Sequence, residues 1–219
     1  MQTKLGWIFF FLFPCFAFGQ TGKSKHIGFD ILQVPATTLN VNYSIEIQPF
    51  ITAVFDLGYT INYAKNFDLI GSLLTSHCDC GNNGYELDII SGGYVKLGGF
   101  FNFRNNFAKH NYFHLGVFFT NSLVYENGYS TLPIGETLPP QQPPVPVSQT
   151  VFVSGLNFMG GYGFSLSERW KSVIDFQVSL PGKSHNNLYG YRNYIPGMGY
   201  RDIEKPWFPM LIWNLKYRL

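Results

Sequence analysis

A chain of 219 residues is long enough for one domain with its own core. Charged residues make up only 13% of it, about half the share usual in soluble domains, while aromatics reach 18%. A formal net charge of +2, with no long basic run, gives no footing to a nucleic-acid partner and suits a chain whose solvent is partly lipid.

Residues 1–19 read as a signal peptide. Lys4 supplies the positive start, 5–18 is an almost unbroken apolar run, and Ala17-Phe18-Gly19 is an A-x-A-like cleavage site, so the mature chain is expected to begin near Gln20. The run is short for a membrane helix. Cys15 would open a lipoprotein, but Pro14 precedes it where a small side chain is expected. Only Cys78 and Cys80 then remain, which is export without a disulfide framework. Residues 20–219 read as a single barrel domain.

Alternation with a period of two marks β-strands through that domain. In 25–34, Ile27, Phe29 and Ile31 alternate with Gly28 and Asp30, and 35–37 is a short break. In 39–48, Leu39, Val41, Tyr43, Ile45 and Ile47 face one way and Asn40, Asn42, Ser44, Glu46 and Gln48 the other. After a turn at Pro49, 51–63 sets Phe55, Leu57, Tyr59, Ile61 and Tyr63 against Thr52, Asp56, Gly58, Thr60 and Asn62. Phe67, Leu69 and Leu73 keep the odd parity. The strand is therefore expected to run on toward a hairpin tip at 78–84, which ends in Asn83-Gly84. Residues 85–104 return with Val95, Leu97, Phe101 and Phe103 opposite Lys96, Gly98, Asn102 and Arg104.

A polar turn at 105–111 leads to 112–126, where Phe113, Leu115, Val117 and Phe119 oppose His114, Gly116, Thr120 and Ser122. The prolines of 127–149 predict an extended loop. Residues 151–166 switch to even parity, with Phe152, Leu156, Phe158, Tyr162 and Phe164 on the apolar face. A turn at 167–171 precedes 172–180, where Ile174, Phe176, Val178 and Leu180 oppose Asp175, Gln177 and Ser179. A loop rich in Tyr, Gly and Asn fills 181–208. The last strand, 210–219, places Leu211, Trp213, Leu215, Tyr217 and Leu219 on one face and Asn214, Lys216 and Arg218 on the other.

Eight strands joined by turns near 49, 105–111 and 167–171, and by longer loops at 64–84, 127–149 and 181–208, predict an all-β fold. The expected form is an eight-stranded antiparallel up-and-down transmembrane β-barrel. With its leader, alternating strands, turn asymmetry and final strand, the chain over roughly residues 25–219 resembles the small outer-membrane β-barrels of gram-negative bacteria, the group with OmpA-like and OmpX-like barrels. The final strand resembles that family's C-terminal insertion signal, although it ends in Leu219 where Phe is usual. The resemblance implies an outer-membrane location with both termini periplasmic. It also implies contact with outer-membrane lipid and lipopolysaccharide, and insertion by the barrel-assembly machinery through the last strand.

Alternation alone does not choose the outward face. A secreted, lipocalin-like soluble barrel would put its apolar face inside, around an apolar ligand. The polar face carries Asp30, Glu46, Asp56 and Asp175 against Lys96, Arg104, Lys216 and Arg218, a balance expected of a sealed lumen with an ion-pair network. Asp175 and Lys216, on neighbouring strands, are the first candidate pair. Glu46 and Asp56, also neighbours, are expected to need bases such as Arg104 or Arg218 reaching in. Aromatics near strand ends also favour an apolar exterior: Tyr63, Tyr125, Phe152 and Trp207 toward the loops, Phe103, Phe164, Trp170 and Tyr217 toward the turns.

Catalytic and metal motifs are sparse. The His-x-Ser pair of lipid A deacylases is missing, His114 reads as part of a polar core, and no catalytic residue, cofactor or metal is expected. His77-Cys78-Asp79-Cys80 has metal-ligand character but narrower spacing than a structural zinc site, and Cys78 and Cys80 are candidates for a tip disulfide. Loop 181–208 carries Tyr189, Tyr191, Tyr194, Tyr200 and Trp207 among Arg192, Arg201 and Lys205. With loop 127–149 it is a candidate surface for an extracellular glycan or protein, or simply packs with other loops above the barrel. The expected role is a structural or surface-interaction protein with a plugged lumen. The alternatives are a narrow pore, a lipid-modifying enzyme and the soluble barrel.

Overall fold

The computed structural model describes residues 24–63, 69–74, 85–104, 111–130, 145–182, 194–200 and 207–219. Its strands are β1 (Lys25–Asp30), β2 (Thr38–Gln48), β3 (Ile51–Thr60), β4 (Tyr85–Arg104), β5 (Asn111–Ser130), β6 (Val145–Ser165), β7 (Trp170–Pro181), β8 (Tyr194–Ile195), β9 (Gly199–Tyr200) and β10 (Phe208–Arg218). One helical turn and a half, α1, covers Leu69–Leu74. Eight strands close a barrel in the order β1-β10-β7-β6-β5-β4-β3-β2, every neighbour antiparallel. Closure comes from β1 on β10, with Ile27 opposite Tyr217 and Phe29 opposite Leu215. No strand of the closed ring is left as an open edge over its shared height.

The alternation resolves into an inside-out distribution. On β2, Leu39 and Val41 are 58% and 52% exposed, while Asn40, Asn42 and Ser44 between and beyond them are buried. The same split places Phe55, Leu57 and Tyr59 outside β3, Phe152, Leu156 and Phe158 outside β6, and Ile174 and Phe176 outside β7. The barrel therefore encloses its polar face.

Three expectations about element bounds change. The first strand stops at Asp30 because the Asp30 carboxylate accepts the Leu32 amide at 2.9 Å and turns the chain, so the break spans 31–37. β3 ends at Thr60, with Asn62 in the left-handed region at φ 47°, and Leu69–Leu74 is helical where a continued strand was expected. The predicted loop 127–149 gives up both ends to strands, with Tyr129 opposite Pro146. Pro146 fits there because β7 pairs with β6 only up to Gly155 opposite Pro181, which leaves that side of Pro146 without a ladder partner among the described residues. β4, β5 and β6 thus rise above the other walls.

Candidate functional site

The lumen is the place where the sequence concentrates chemistry, and it is filled from both ends. At the turn end Lys171 Nζ donates to Glu46 Oε1 at 2.9 Å across the barrel mouth. His26 is buried beside them, its Nε2 3.3 Å from Ser24 Oγ.

One layer up, His114 Nε2 meets Asp175 Oδ1. These residues stand on β5 and β7, which are not neighbours. Gly161 of β6 lies opposite both of them in register. Having no side chain, Gly161 leaves the gap through which the imidazole reaches the carboxylate; a Cβ there would collide with Asp175 Oδ1 and the Ile174 carbonyl. Phe100 packs edge-on against His114 at 4.3 Å between ring centroids. Val54, Phe100, Phe118, Met159, Met210 and Ile212 form an apolar cluster in the same region.

Asp56 and Lys96 are directly opposite on β3 and β4, and Lys96 Nζ lies 3.9 Å from Asp56 Oδ2. The same ammonium donates to Gln177 Oε1 at 2.7 Å. Asn42 Nδ2 donates to Asn214 Oδ1 at 2.6 Å, and Asn40 Nδ2 to the Tyr94 hydroxyl at 3.2 Å. Such bonds are what a buried polar layer needs, since an unpaired polar group in low dielectric is costly.

The loop end is closed by the β8–β9 hairpin, which descends into the barrel. Tyr194, Ile195, Met198 and Tyr200 are at most 2% exposed. Ile195 and Met198 join Ile90, Val124, Val151, Val153 and Phe208 in an apolar cluster, with Tyr63 packed against it. Gln177 Nε2 donates to the carbonyls of Gly197 and Met198 at 3.0 and 3.1 Å. Ser179 Oγ donates to the Met198 carbonyl at 2.5 Å, and the Tyr194 hydroxyl to Gln33 Oε1 at 2.9 Å. Gly197, at φ +76°, lies on the Tyr94 ring, where a side chain would be both strained and obstructed.

Of the eight residues expected to form one ion-pair network, the structure brings Asp56 and Lys96 together, so the base at Asp56 is the lysine opposite it on β4 and not one of the arginines named for it. Asp175 meets His114 rather than Lys216. The register puts Asp175 opposite Ile212 and sets Lys216 opposite Lys171, four residues away. Lys216 is buried with its Nζ 6.0 Å from the centre of the Phe100 ring, and no carboxylate is within ion-pair distance of it among the described residues. Asp30 is tied to the backbone, accepting the Leu32 and Trp213 amides. Glu46 is held by Lys171. Arg218 is exposed. The Arg104 side chain, Cys78 and Cys80 lie outside the described residues.

Lys171 falls within the turn predicted at 167–171, yet it shares the odd parity of Asp175 and Gln177, which places it inward. The hairpin lies within the predicted loop 181–208, which composition places above the barrel. Ile195-Pro196-Gly197-Met198-Gly199, a Pro-Gly turn with two large apolar residues, was the available signal. Tyr194 and Tyr200 therefore face the barrel interior, while Tyr189, Tyr191, Arg192, Arg201 and Lys205 lie outside the described residues. No group of three or more His, Cys, Asp or Glu among the described residues could hold a metal ion. No family model matches the chain, and no curated protein matches it.

Proposed function

We propose that this chain is an outer-membrane β-barrel with a structural or surface-interaction role and a lumen that does not conduct. The observation that carries the reading is the inversion of polarity. Leu57 and Tyr59 are 51% and 54% exposed on the outer wall, while Lys96 and Asp175 are 2% and 1% exposed within. Water would penalise such an exterior and such an interior together, whereas hydrocarbon favours both. The signal-like leader and the resemblance to small gram-negative barrels agree with this location.

Support for a closed lumen comes from its two fillings, the charged layer around Lys96 and the inserted hairpin around Met198. Envelope fractionation tests the location: the mature chain is expected in the outer-membrane fraction, and recovery from the soluble periplasm would refute it. Planar-bilayer recording tests the lumen: no unitary conductance is expected, and discrete channel openings would favour the narrow pore.

A further inference from the structure

At the turn end of the outer wall, an arginine of the last turn lies on a tyrosine hydroxyl of β10, and a lysine opens the next strand, level with the end of β10. Lys25 opens β1 and is exposed, on the outward parity of Ile27 and Phe29. β10 runs beside it, and the Leu219 amide donates to the Lys25 carbonyl at 3.0 Å. On the far side of β10, Trp170 of β7 stands opposite Tyr217, the two rings edge-on with centroids 5.1 Å apart. Exposed Arg169 reaches over from the turn, and its Nη1 donates to the Tyr217 hydroxyl oxygen at 3.0 Å. Because that oxygen is the acceptor, the phenolic hydrogen is left for a second acceptor. Two strand spacings, roughly 9.5 Å, separate the backbones that carry Lys25 and Arg169. The exposed Arg218 stands on the same rim, and its amide donates to the Arg169 carbonyl at 2.8 Å. Among the described residues, the side-chain acids at this end are exposed Glu168 and Glu46, the latter already held by Lys171, and Leu219, whose carboxylate ends the 219-residue chain, stands beside Lys25.

Resting on the membrane reading, we propose that this patch binds the phosphate of an anionic phospholipid headgroup in the leaflet at the turn end. Guanidinium and ammonium groups give charge-assisted bonds to phosphate oxygens, and the Tyr217 hydrogen supplies a third donor beside the guanidinium. Tyr and Trp rings occupy the boundary between headgroups and acyl chains. Below the patch the outer wall continues as Ile27, Phe29 and Ile174, each about two-fifths exposed, which is apolar surface for the acyl chains of the same lipid.

The test uses the full chain in vesicles of phosphatidylglycerol and phosphatidylcholine, with brominated acyl chains on one lipid at a time. The part of the tryptophan quenching that Trp170→Phe removes reports the site. A preference for phosphatidylglycerol on the order of fivefold is expected, by the attraction of a surface cation for an anionic lipid. It should fall toward unity in Lys25→Gln/Arg169→Gln and rise in Glu168→Gln, which removes the nearby acid. Equal quenching by both lipids, or an unchanged preference in the double variant, would overturn the proposal. So would loss of the preference on adding millimolar inorganic phosphate, which would identify a free-anion site. Quenching by neither lipid would instead defeat the membrane reading on which the proposal stands. Far-UV circular dichroism confirms that each variant remains a β-barrel.

Discussion

Lys96 and Gln177 face each other across the lumen from β4 and β7, and the 2.7 Å bond from Lys96 Nζ to Gln177 Oε1 ties the charged layer to the hairpin above it. The amide of the same glutamine donates to the Gly197 and Met198 carbonyls. One side chain thus uses both ends, accepting from the ammonium below and donating to the loop backbone above. Gln177→Leu would take the 2.7 Å acceptor from the ammonium and one donor from each of two buried carbonyls, which keep Asn157 Nδ2 and Ser179 Oγ. A loss of about 3 kcal/mol is expected, the scale of a hydrogen bond to a charged group. Gln177→Glu separates the two roles. The carboxylate keeps Lys96 paired but cannot donate to the hairpin. Urea unfolding in lipid vesicles should give a smaller loss for Gln177→Glu, while limited proteolysis should find the hairpin loosened in both.

The two buried lysines predict opposite outcomes. Lys96→Met strands the Asp56 carboxylate, which has Lys96 as its ion-pair partner among the described residues. Breaking one side of a buried pair costs about 3–5 kcal/mol. Lys216→Met removes a buried ammonium with no carboxylate within ion-pair distance among the described residues, and replaces it with apolar atoms of similar volume. Its effect is expected to stay within about 1 kcal/mol, because swapping a buried charge for a packed hydrophobe is often neutral. Equal losses for the two variants in the same unfolding assay would mean that Lys216 carries an electrostatic share the distances do not reveal.

Gly161 is the second point where a small change should act at a distance. A methyl group at this position meets Asp175 Oδ1 and the Ile174 carbonyl. Gly161→Ala should therefore cost about 1–3 kcal/mol, the range for overpacking, and push His114 away from Asp175. Gly160→Ala is the control. Gly160 is half-buried, and the added carbon meets the far end of the Leu115 side chain at 3.0 Å, which can move aside. Unfolding free energies should separate the two alanines, and the His114 ring resonances should shift only in Gly161→Ala.

These contacts mark how far the sequence could be read. Alternation along β2 and β3 locates strands and separates their faces, because every second residue of a strand points the same way whatever its partner. Asp56 and Lys96 share that inward parity and stand opposite in register. The pairing of Asp175 with His114 depends on the register of three strands and on a gap at Gly161, neither of which periodicity encodes. Assigning Lys216 to Asp175 assumed that neighbouring strands bring their charges level, and the β7–β10 register does not. The hairpin was hidden for another reason. Tyr194 and Tyr200 are amphipathic and occur in a polar stretch, so composition assigns them to a surface, while their burial comes from the vacant width above the Gln177 layer that the hairpin fills.

Two fillings imply two independent closures. Replacing 194–200 with a Gly-Ser linker removes the hairpin but leaves Phe100, Phe118 and Met210 packed below, with Lys96 on Gln177. The variant is expected to remain silent in planar bilayers while unfolding at lower urea. Opening should require a second change, such as Phe118→Gly, that cuts into the lower cluster. Channel activity after loss of the hairpin alone would make it the sole gate.

The sharpest discriminator between lipid and water outside the barrel is an arginine on the outer wall. Leu57 sits midway along β3, 51% exposed, opposite Val41 on one side and Val95 on the other. In a water-soluble barrel, Leu57→Arg puts a charge where water already is, and surface changes of that kind stay within about 0.5 kcal/mol. In a bilayer the same guanidinium lies near the midplane, far from either headgroup layer, where arginine on a barrel wall costs about 2–4 kcal/mol. Lys25→Arg, at the rim, changes nothing in charge or depth and serves as the reference. Reversible unfolding from lipid vesicles should give a Leu57→Arg loss in the larger range. It should shrink as the arginine is moved toward the turn end, to Phe55 and then Ile51, because the headgroup region comes within reach of the side chain. A flat profile across the three positions, all near zero, would place water outside the barrel and return the chain to the soluble class.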